Sequence, residues 1–132
     1  MIDNDPDNEQ ITLSPLDLNN LHFLSWNANS VNVLANRQAI HSLLNNFNPA
    51  AFFLQETRHT TDVNNFVKNR FSPYQIFHCP SIKKSPRTRG LITLIHKDII
   101  VIGTCYFSNE FVDILYTTIN YYQHQSCPTH LS

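Results

Sequence analysis

Two short apolar segments flank one amphipathic stretch of helix length in the first half of the chain. His22 to Asn27 and Ala50 to Gln55 predict strands, and the second is a continuous apolar run typical of a strand covered on both faces. The stretch between them predicts a helix that is capped by Ser30 or Asn32 and ends at Asn48-Pro49, since the residue before a proline disfavours helical backbone. Strand, helix and strand in this order predict a βαβ unit with two parallel neighbouring strands. The apolar positions of the predicted helix are Val33, Ile40, Leu43, Leu44 and Phe47.

The second half of the chain changes to β-rich segments with short connections. Tyr74 to His78 predicts a strand, and residues 62–71 predict a short helix before it. Further strands, rich in Ile, Val, Thr and Tyr, are predicted over Gly90 to His96, Ile99 to Phe107 and Phe111 to Tyr122. Because the connections between them are short, we expect an antiparallel meander or hairpin. The fold class is therefore α/β (α+β): one parallel pair with its crossover helix, extended by antiparallel strands.

Acidic and basic residues are distributed unevenly along the chain. Residues 1–36 carry five acidic residues and no Lys or Arg, whereas residues 37–132 carry nine Lys and Arg against five acidic residues, which makes −5 and +4. The acidic residues 1–20 predict a disordered or loosely attached leader. One domain is expected over residues 21–122, followed by a tail over 123–132. The mildly basic body is compatible with a phosphate-bearing partner.

The cysteine pattern and the lack of long apolar stretches bear on the cellular compartment. Cys79, Cys105 and Cys127 are odd in number and have no Cys-x-x-Cys spacing, which favours a reducing compartment over a disulfide framework or a zinc site. The first residues do not read as a secretory signal, and no apolar stretch approaches the roughly 18 residues that cross a bilayer. We expect an intracellular protein, nuclear or cytoplasmic, without a membrane partner.

An amide and a carboxylate follow the two predicted parallel strands at one edge of the sheet. Asn27 ends the first strand, and Glu56 comes directly after the second. Ligands of such sheets gather beyond the carboxyl ends of the strands, and both side chains offer the hard oxygen atoms that Mg²⁺ prefers. Plainer interpretations stay open, because a glutamate at a strand end is commonly just solvated. Asn27 and Asn29 also suit tight turns and helix capping.

Cationic residues cluster in the predicted loop over residues 79–89. Together with Asn29, and with Arg58, which directly follows the Glu56 motif, they are candidates for contacts with phosphate or DNA, although most such loops are only solvated. No two of the seven histidines have the spacing of a metal pair, and His22, His78 and His96 are expected to be partly buried or at the rim. The cationic residues of the loop are Lys83, Lys84, Arg87 and Arg89.

Three motifs, in this order, resemble the start of the endonuclease/exonuclease/phosphatase superfamily. The likeness is strongest to the apurinic-endonuclease-like domain of non-LTR (LINE or jockey-type) retrotransposon polyproteins. Leu24-Ser25-Trp26-Asn27-Ala28-Asn29-Ser30 comes first, and Leu54-Gln55-Glu56-Thr57-Arg58 follows after one helix. Arg89-Gly90-Leu91-Ile92-Thr93-Leu94-Ile95 is similar to the glycine-led strand of the family. The resemblance covers about residues 20–122, the first half of a domain of roughly 220–250 residues.

The resemblance implies the N-terminal half of a four-layered α/β sandwich and the hydrolysis of DNA phosphodiesters with Mg²⁺ or Mn²⁺. It implies that Asn27 and Glu56 are catalytic residues of the metal and phosphate site. DNA and the reverse-transcriptase region of the parent polyprotein are the implied partners. The later motifs of the family, Gly-Asp-x-Asn and Ser-Asp-His, do not occur in this chain. We therefore expect a truncated DNA endonuclease domain that is inactive as this fragment.

Two alternative functions stay open at this point. One is a phosphatase or lipid phosphodiesterase of the same superfamily, and the other is a non-catalytic remnant that binds nucleic acid or protein. Half of a two-sheet sandwich would also leave apolar side chains without a partner, in a patch beyond the few hundred Å² usual for a monomer. The candidates for this exposed surface are Ile92, Leu94, Ile100, Ile102, Ile114 and Tyr116.

Overall fold

A computed structural model describes residues 10–59, 70–80, 90–109 and 112–120 of the chain. The described elements are β1 (Phe23–Asn27), α1 (Leu34–Phe47), β2 (Ala51–Gln55), β3 (Gln75–Cys79), β4 (Leu91–Ile95), β5 (Ile100–Ser108) and β6 (Asp113–Asn120). The predicted mixture of helix and strands is confirmed at this coarse level. The helix predicted over 62–71 lies mostly outside the described residues, and the tail over 123–132 lies wholly outside them.

The predicted βαβ unit is present. β1 and β2 are parallel neighbours, paired from Phe23 opposite Ala51 to Asn27 opposite Gln55. Parallel strands need a crossover connection, and α1 provides it. The carboxyl ends of both strands therefore lie at one edge of the sheet, with the residues that follow them side by side.

The helix ends where the sequence predicts but begins differently. Asn48 takes a left-handed backbone (φ 46°, ψ 54°) and its N–H binds the carbonyl of Leu44, which stops α1 directly before Pro49. At the other end the cap residue is Val33, without a side-chain cap, so the predicted capping by Ser30 or Asn32 is wrong. The Ser30 hydroxyl instead accepts the Asn32 N–H within the preceding turn. Within the described ranges, no helix has the length and hydrophobicity that a membrane crossing requires.

β4 is one of the two interior strands of the main sheet. The strand order is β1-β2-β4-β3, and β4 is antiparallel to both of its neighbours. The predicted meander of three successive strands is thus wrong for β4 and β5, and only β5 and β6 form an antiparallel hairpin, as a separate two-stranded sheet. The reason is burial: four of the five residues of β4 are buried, which requires a strand on each edge and cover on both faces.

Apolar clusters lie on both faces of the main sheet. On one face, Ile40 and Leu44 of α1 pack against Phe52 and Leu54 of β2, in a cluster that includes the buried Ile92 and Leu94 of β4. On the opposite face, Ala51 and Ile95 form a second cluster with Val101 and Ile119 of the hairpin. The described residues therefore stack as three layers: helix, four-stranded sheet and two-stranded hairpin.

Part of the apolar surface that was expected to stay exposed does so. Ile92 and Leu94 are fully buried, whereas Ile100, Ile102, Ile114 and Tyr116 of the hairpin are each at least half exposed. Phe23 and Phe53, which share the hairpin side of the main sheet, are also exposed. The hairpin packs mainly against β3 and β4, and Phe23 of β1 and Phe53 of β2 are not covered by it.

Residues 10–20 of the predicted leader make hydrogen bonds to the end of α1. The amide groups of Thr12 and Ser14 donate to the side-chain oxygens of Asn45 and Asn48, at 2.7 and 3.1 Å. Asn48 also donates to the Ser14 carbonyl at 2.9 Å, and Ile11 is buried in the helix-side cluster. A prediction from charge composition does not include such contacts, in which asparagine side chains satisfy the backbone groups of an extended segment. Residues 1–9 lie outside the described part.

Neighbouring phenylalanines of β2 provide a matched test of the layer arrangement. Phe52 is fully buried against α1, whereas Phe53 points to the open side and is 41% exposed. We expect Phe52→Ala to lower the free energy of unfolding by about 3–5 kcal/mol, because it leaves a cavity. Phe53→Ala should cost less than about 1 kcal/mol. Urea unfolding followed by circular dichroism measures both, and equal losses would contradict the layer arrangement.

Candidate functional site

Asn27 and Glu56 lie at the adjacent carboxyl ends of β1 and β2. Asn27 is the last residue of β1 and pairs with Gln55, so Glu56 is one residue past its level on the neighbouring strand. The Asn27 side chain is exposed, and the Glu56 side chain is about one third exposed. The parallel pairing therefore brings together the two motifs that the sequence singles out.

Backbone hydrogen bonds carry the parallel pairing past the ends of both strands. Ala28 N–H donates to the Gln55 carbonyl at 2.8 Å, Ser30 N–H to the Glu56 carbonyl at 2.8 Å, and Val31 N–H to the Thr57 carbonyl at 2.9 Å. Such bonds hold two loops in one geometry without help from side chains. The loop that follows Asn27 and the loop that contains Glu56 therefore form one unit.

Strained backbone conformations concentrate in this unit. Five described residues other than glycine have positive φ, and four of them are Asn29 (51°), Ser30 (87°), Glu56 (52°) and Arg58 (56°). Positive φ costs a residue with a Cβ on the order of 1 kcal/mol or more, and such residues tend to cluster at functional sites. This concentration favours a binding or catalytic role for the edge over a plain surface turn.

Local hydrogen bonds explain why several asparagines lie at this edge of the sheet. The Asn27 side-chain oxygen accepts the Asn29 N–H at 3.1 Å, which is the turn role that the residue type also predicts. The Asn36 amide group on α1 donates to the carbonyls of Asn29 and Ser30, each at 3.0 Å. The side chain of Asn27 is thus held in place at the edge by its own turn.

Arg58 lies beside Glu56, as its position in the motif predicts. Its guanidinium is 3.8 Å from the Glu56 carboxylate, and both side chains are about one third exposed. A partly exposed pair at this distance adds little stability. The Arg58 carbonyl accepts the Asn32 amide at 3.2 Å, which anchors the residue through its backbone. The arrangement leaves a carboxylate and a cation next to each other at the rim of the edge.

The buried His59 and the half-buried His78 lie in contact beyond this rim, and the sequence does not single them out as a site. His59 Nε2 is 2.9 Å from His78 Nδ1, and His59 Nδ1 is 2.6 Å from the Thr57 hydroxyl oxygen. His59 is almost completely buried. Burial, and secondarily the neighbouring His78, lower the pKa of His59 from 6.5 to about 4, while Asp113 opposes the shift. His59 is therefore neutral at physiological pH, and its Nε2 lies within hydrogen-bonding distance of His78 Nδ1.

Gly90 closes the space above this pair. Its φ is +106°, and a Cβ at this position would lie 2.5 Å from the Thr57 hydroxyl oxygen and 3.0 Å from the Arg58 nitrogen. The Gly90 carbonyl accepts the Thr57 N–H at 3.1 Å, and the Gly90 N–H donates to the Asp113 carboxylate at 3.1 Å. Only glycine fits both the backbone conformation and the close approach. The glycine-led strand of the third motif thus begins at a residue that joins the main sheet to the hairpin.

The remaining predicted residues have mixed outcomes. The cationic loop residues lie outside the described part of the chain, so the structure does not test their proximity to Glu56. His78 is half-buried and His96 is buried, as predicted, whereas His22 is exposed. No spacing signal could have paired His59 with His78, which are 19 residues apart on different segments. The loop residues in question are Lys83, Lys84, Arg87 and Arg89.

Metal-ligating side chains are sparse around the edge. Among residues 10–59, 70–80, 90–109 and 112–120, no group of three or more His, Cys, Asp or Glu is arranged to hold a metal ion. One carboxylate with one amide is compatible with a hard cation but leaves most of its coordination to water. No protein-family model matches the chain, and no curated protein has significant sequence similarity to it.

The burial of His59 predicts a specific loss of stability in acid. Because the fold favours neutral His59, unfolding takes up a proton below pH 6.5. The stabilisation is fully present above pH 6.5 and is lost as the pH falls towards 4, at up to about 1.4 kcal/mol per pH unit. Urea titrations across this window should show a flatter slope for His59→Gln than for the unmodified chain. The exposed His22→Gln should keep the original slope. Equal slopes in all three proteins would contradict the assignment.

Proposed function

We propose that this chain is the first part of a metal-dependent phosphodiesterase domain of the endonuclease/exonuclease/phosphatase type, from a non-LTR retrotransposon polyprotein. Its ancestral substrate is DNA, and its cellular compartment is the nucleus or cytoplasm. The observation that carries the proposal is the parallel register, which pairs Asn27 at the end of β1 with Gln55, the residue directly before Glu56. The strained loops at the same edge support it, since strain of this kind is retained where geometry matters for function.

The residues of the edge have distinct roles in this proposal. Glu56 supplies the anionic oxygen that would hold Mg²⁺ or Mn²⁺, and Asn27 supplies a neutral oxygen or an amide donor towards a phosphate. A bound divalent ion supplies charge neutralisation on the phosphate in reactions of this class. Arg58, one third exposed beside Glu56, is placed to attract a phosphate to the rim. Asn29 holds the turn that presents Asn27.

The order of layers supports the finer fold assignment. A helix, a four-stranded sheet and a second sheet packed on its opposite face correspond to three consecutive layers of a four-layered α/β sandwich. The fourth layer would lie on the exposed outward face of the hairpin. Further strands beside the hairpin would cover Phe23 and Phe53. The proposed domain is therefore incomplete in this chain, as its missing later motifs also suggest.

A non-catalytic remnant is the second candidate, and one observation favours it. Glu56 is the only acidic residue in residues 21–34 and 50–59, and the described residues contain no group of three or more side chains arranged to hold a metal ion. Without a positioned base as well, metal binding alone does not cleave a phosphodiester. Under this alternative the chain retains affinity for nucleic acid or protein but no turnover. A phosphatase or lipid phosphodiesterase of the same superfamily would use the same residues at the strand ends and would differ from a DNA endonuclease only in its substrate.

Paramagnetic Mn²⁺ tests the metal-binding part of the proposal without requiring activity. We expect weak binding that broadens the backbone NMR signals of residues 27–30 and 56–58 before others, because Glu56 is the anionic ligand of the edge. Glu56→Ala should remove this broadening. Asp17→Asn, which alters an exposed carboxylate on residues 10–20, should leave it unchanged. Broadening that is absent, or that survives in Glu56→Ala, would refute the metal site.

Cleavage assays test whether the chain alone is active. We expect no nicking of supercoiled plasmid above background in Mg²⁺ or Mn²⁺, and no difference between the chain and Glu56→Ala. The reason is that losses within an interdependent catalytic set cost orders of magnitude in rate. Reproducible metal-dependent nicking that disappears in Glu56→Ala would show that the chain, alone or as an oligomer, supplies the missing base.

The salt dependence of DNA binding tests the cationic loop. Each phosphate contact contributes about −0.9 to the slope of log K against log salt concentration, so four contacts give roughly −3.6. Replacing Lys83, Lys84, Arg87 and Arg89 together with Gln should flatten the slope by most of that amount. Lys97→Gln, at an exposed position in the β4–β5 connection, is the control and should have little effect. Fluorescence anisotropy with a labelled duplex measures both, and an unchanged slope in the fourfold variant would exclude the loop.

A further inference from the structure

The outward side of the β5–β6 hairpin is an apolar surface that the described residues leave uncovered. Strand pairing places Cys105 opposite Tyr116 and Phe107 opposite Ile114 on this side. Ile102, Phe107, Ile114 and Tyr116 are 65%, 54%, 50% and 61% exposed. We call this surface the hairpin outer face. Its residues are Ile100, Gly103, Cys105, Phe107, Ile114, Tyr116, Thr118 and Asn120, with Ile102 in the register shift between Val101 and Gly103.

The hairpin outer face carries no charge. In residues 99–109 and 112–120 the single charged residue is Asp113. Its carboxylate accepts hydrogen bonds from the Gly90 N–H and the Ser108 hydroxyl and is therefore engaged towards the main sheet. Nucleic acids and anionic membranes bind through Lys and Arg, and this face offers neither. The chemistry of the face fits an apolar protein surface.

We propose that the hairpin outer face is a self-association surface, covered by the same face of a second copy of this chain. A two-fold contact of this kind brings the same face of two copies together, so a net charge on the face would meet a face of like charge. No such repulsion arises here, and the formal net charge of −1 for the whole chain adds little more. Two antiparallel ribbons can pack about 10 Å apart, as sheets do in a sandwich. The inference stands on exposure and charge and is made for this chain as it is, without the fourth layer that the proposed function places on the same face of a complete domain.

The exposed area sets the strength of the contact. An aromatic side chain buries about 150–250 Å², so half exposure leaves on the order of 100 Å² for each large side chain. Five such side chains give roughly 500 Å² per copy, or about 1,000 Å² in total, which is at the lower limit for a specific interface. The expected dimer is therefore reversible and dissociates on dilution. An isolated two-stranded sheet is also marginal in water, so covering its open face stabilises the hairpin.

Sedimentation velocity over a concentration series tests the proposal with the intact chain. The average mass should rise from 15.3 kDa towards twice that value as the concentration increases from roughly micromolar to millimolar. Tyr116→Lys places a charge at the centre of the two-fold contact and should weaken dimerisation at least about tenfold. Phe47→Lys, which alters a similarly exposed aromatic residue at the end of α1, is the matched control and should dimerise normally.

Two further measurements keep the test decisive. Ile114→Lys probes the same face independently, and circular dichroism of every variant checks that the fold is retained. A monomer at all concentrations would overturn the proposal, as would dimerisation that both hairpin substitutions leave intact. Association that grows beyond the dimer without saturating would overturn it as well, because a two-fold contact closes at two copies.

Discussion

The parallel pairing of β1 with β2, carried past both strand ends by three backbone hydrogen bonds, is the constraint on which the rest of the structure depends. It sets α1 on one face of the sheet, because a parallel pair needs a crossover connection. It also places the loop after Asn27 against the loop that contains Glu56. A shift of one residue in this register would move every side chain of β1 to the other face and separate the candidate site from its supporting turns.

Local features of the fold follow from the sequence, and non-local ones do not. The strands before and after α1, and the end of α1 at Asn48, depend on short-range patterns that survive in any packing. The strands that pair with β4 are set by long-range packing. Its short connection to β5 favours a hairpin between the two, but β2 and β3 pair with the two edges of β4 instead. The same limit applies to residues 10–20, which are held by asparagines more than 30 positions away in the chain.

The candidate site also has some features that the sequence predicts and others that only the three-dimensional structure shows. Asn27 and Glu56 could be placed together because parallel strands share an edge, and Arg58 because it follows Glu56 directly. The strained backbone of the edge and the contact of His59 with His78 need the three-dimensional arrangement, since nothing in the residue types requires them. The one sequence signal for this part of the site is the glycine itself. Gly90 stands at the start of the third motif's strand, in a backbone conformation that other residues rarely adopt.

Gly90 also has a structural consequence. Its carbonyl accepts a hydrogen bond from the Thr57 N–H, and its own N–H donates to the carboxylate of Asp113, the first residue of β6. One residue therefore connects the main sheet to the hairpin. Both hydrogen bonds use the backbone of Gly90, and Thr57 and Arg58 lie too close to it for a side chain to fit. Replacing Gly90 would therefore disturb the Glu56 loop and the attachment of the hairpin together, because both depend on the same backbone position.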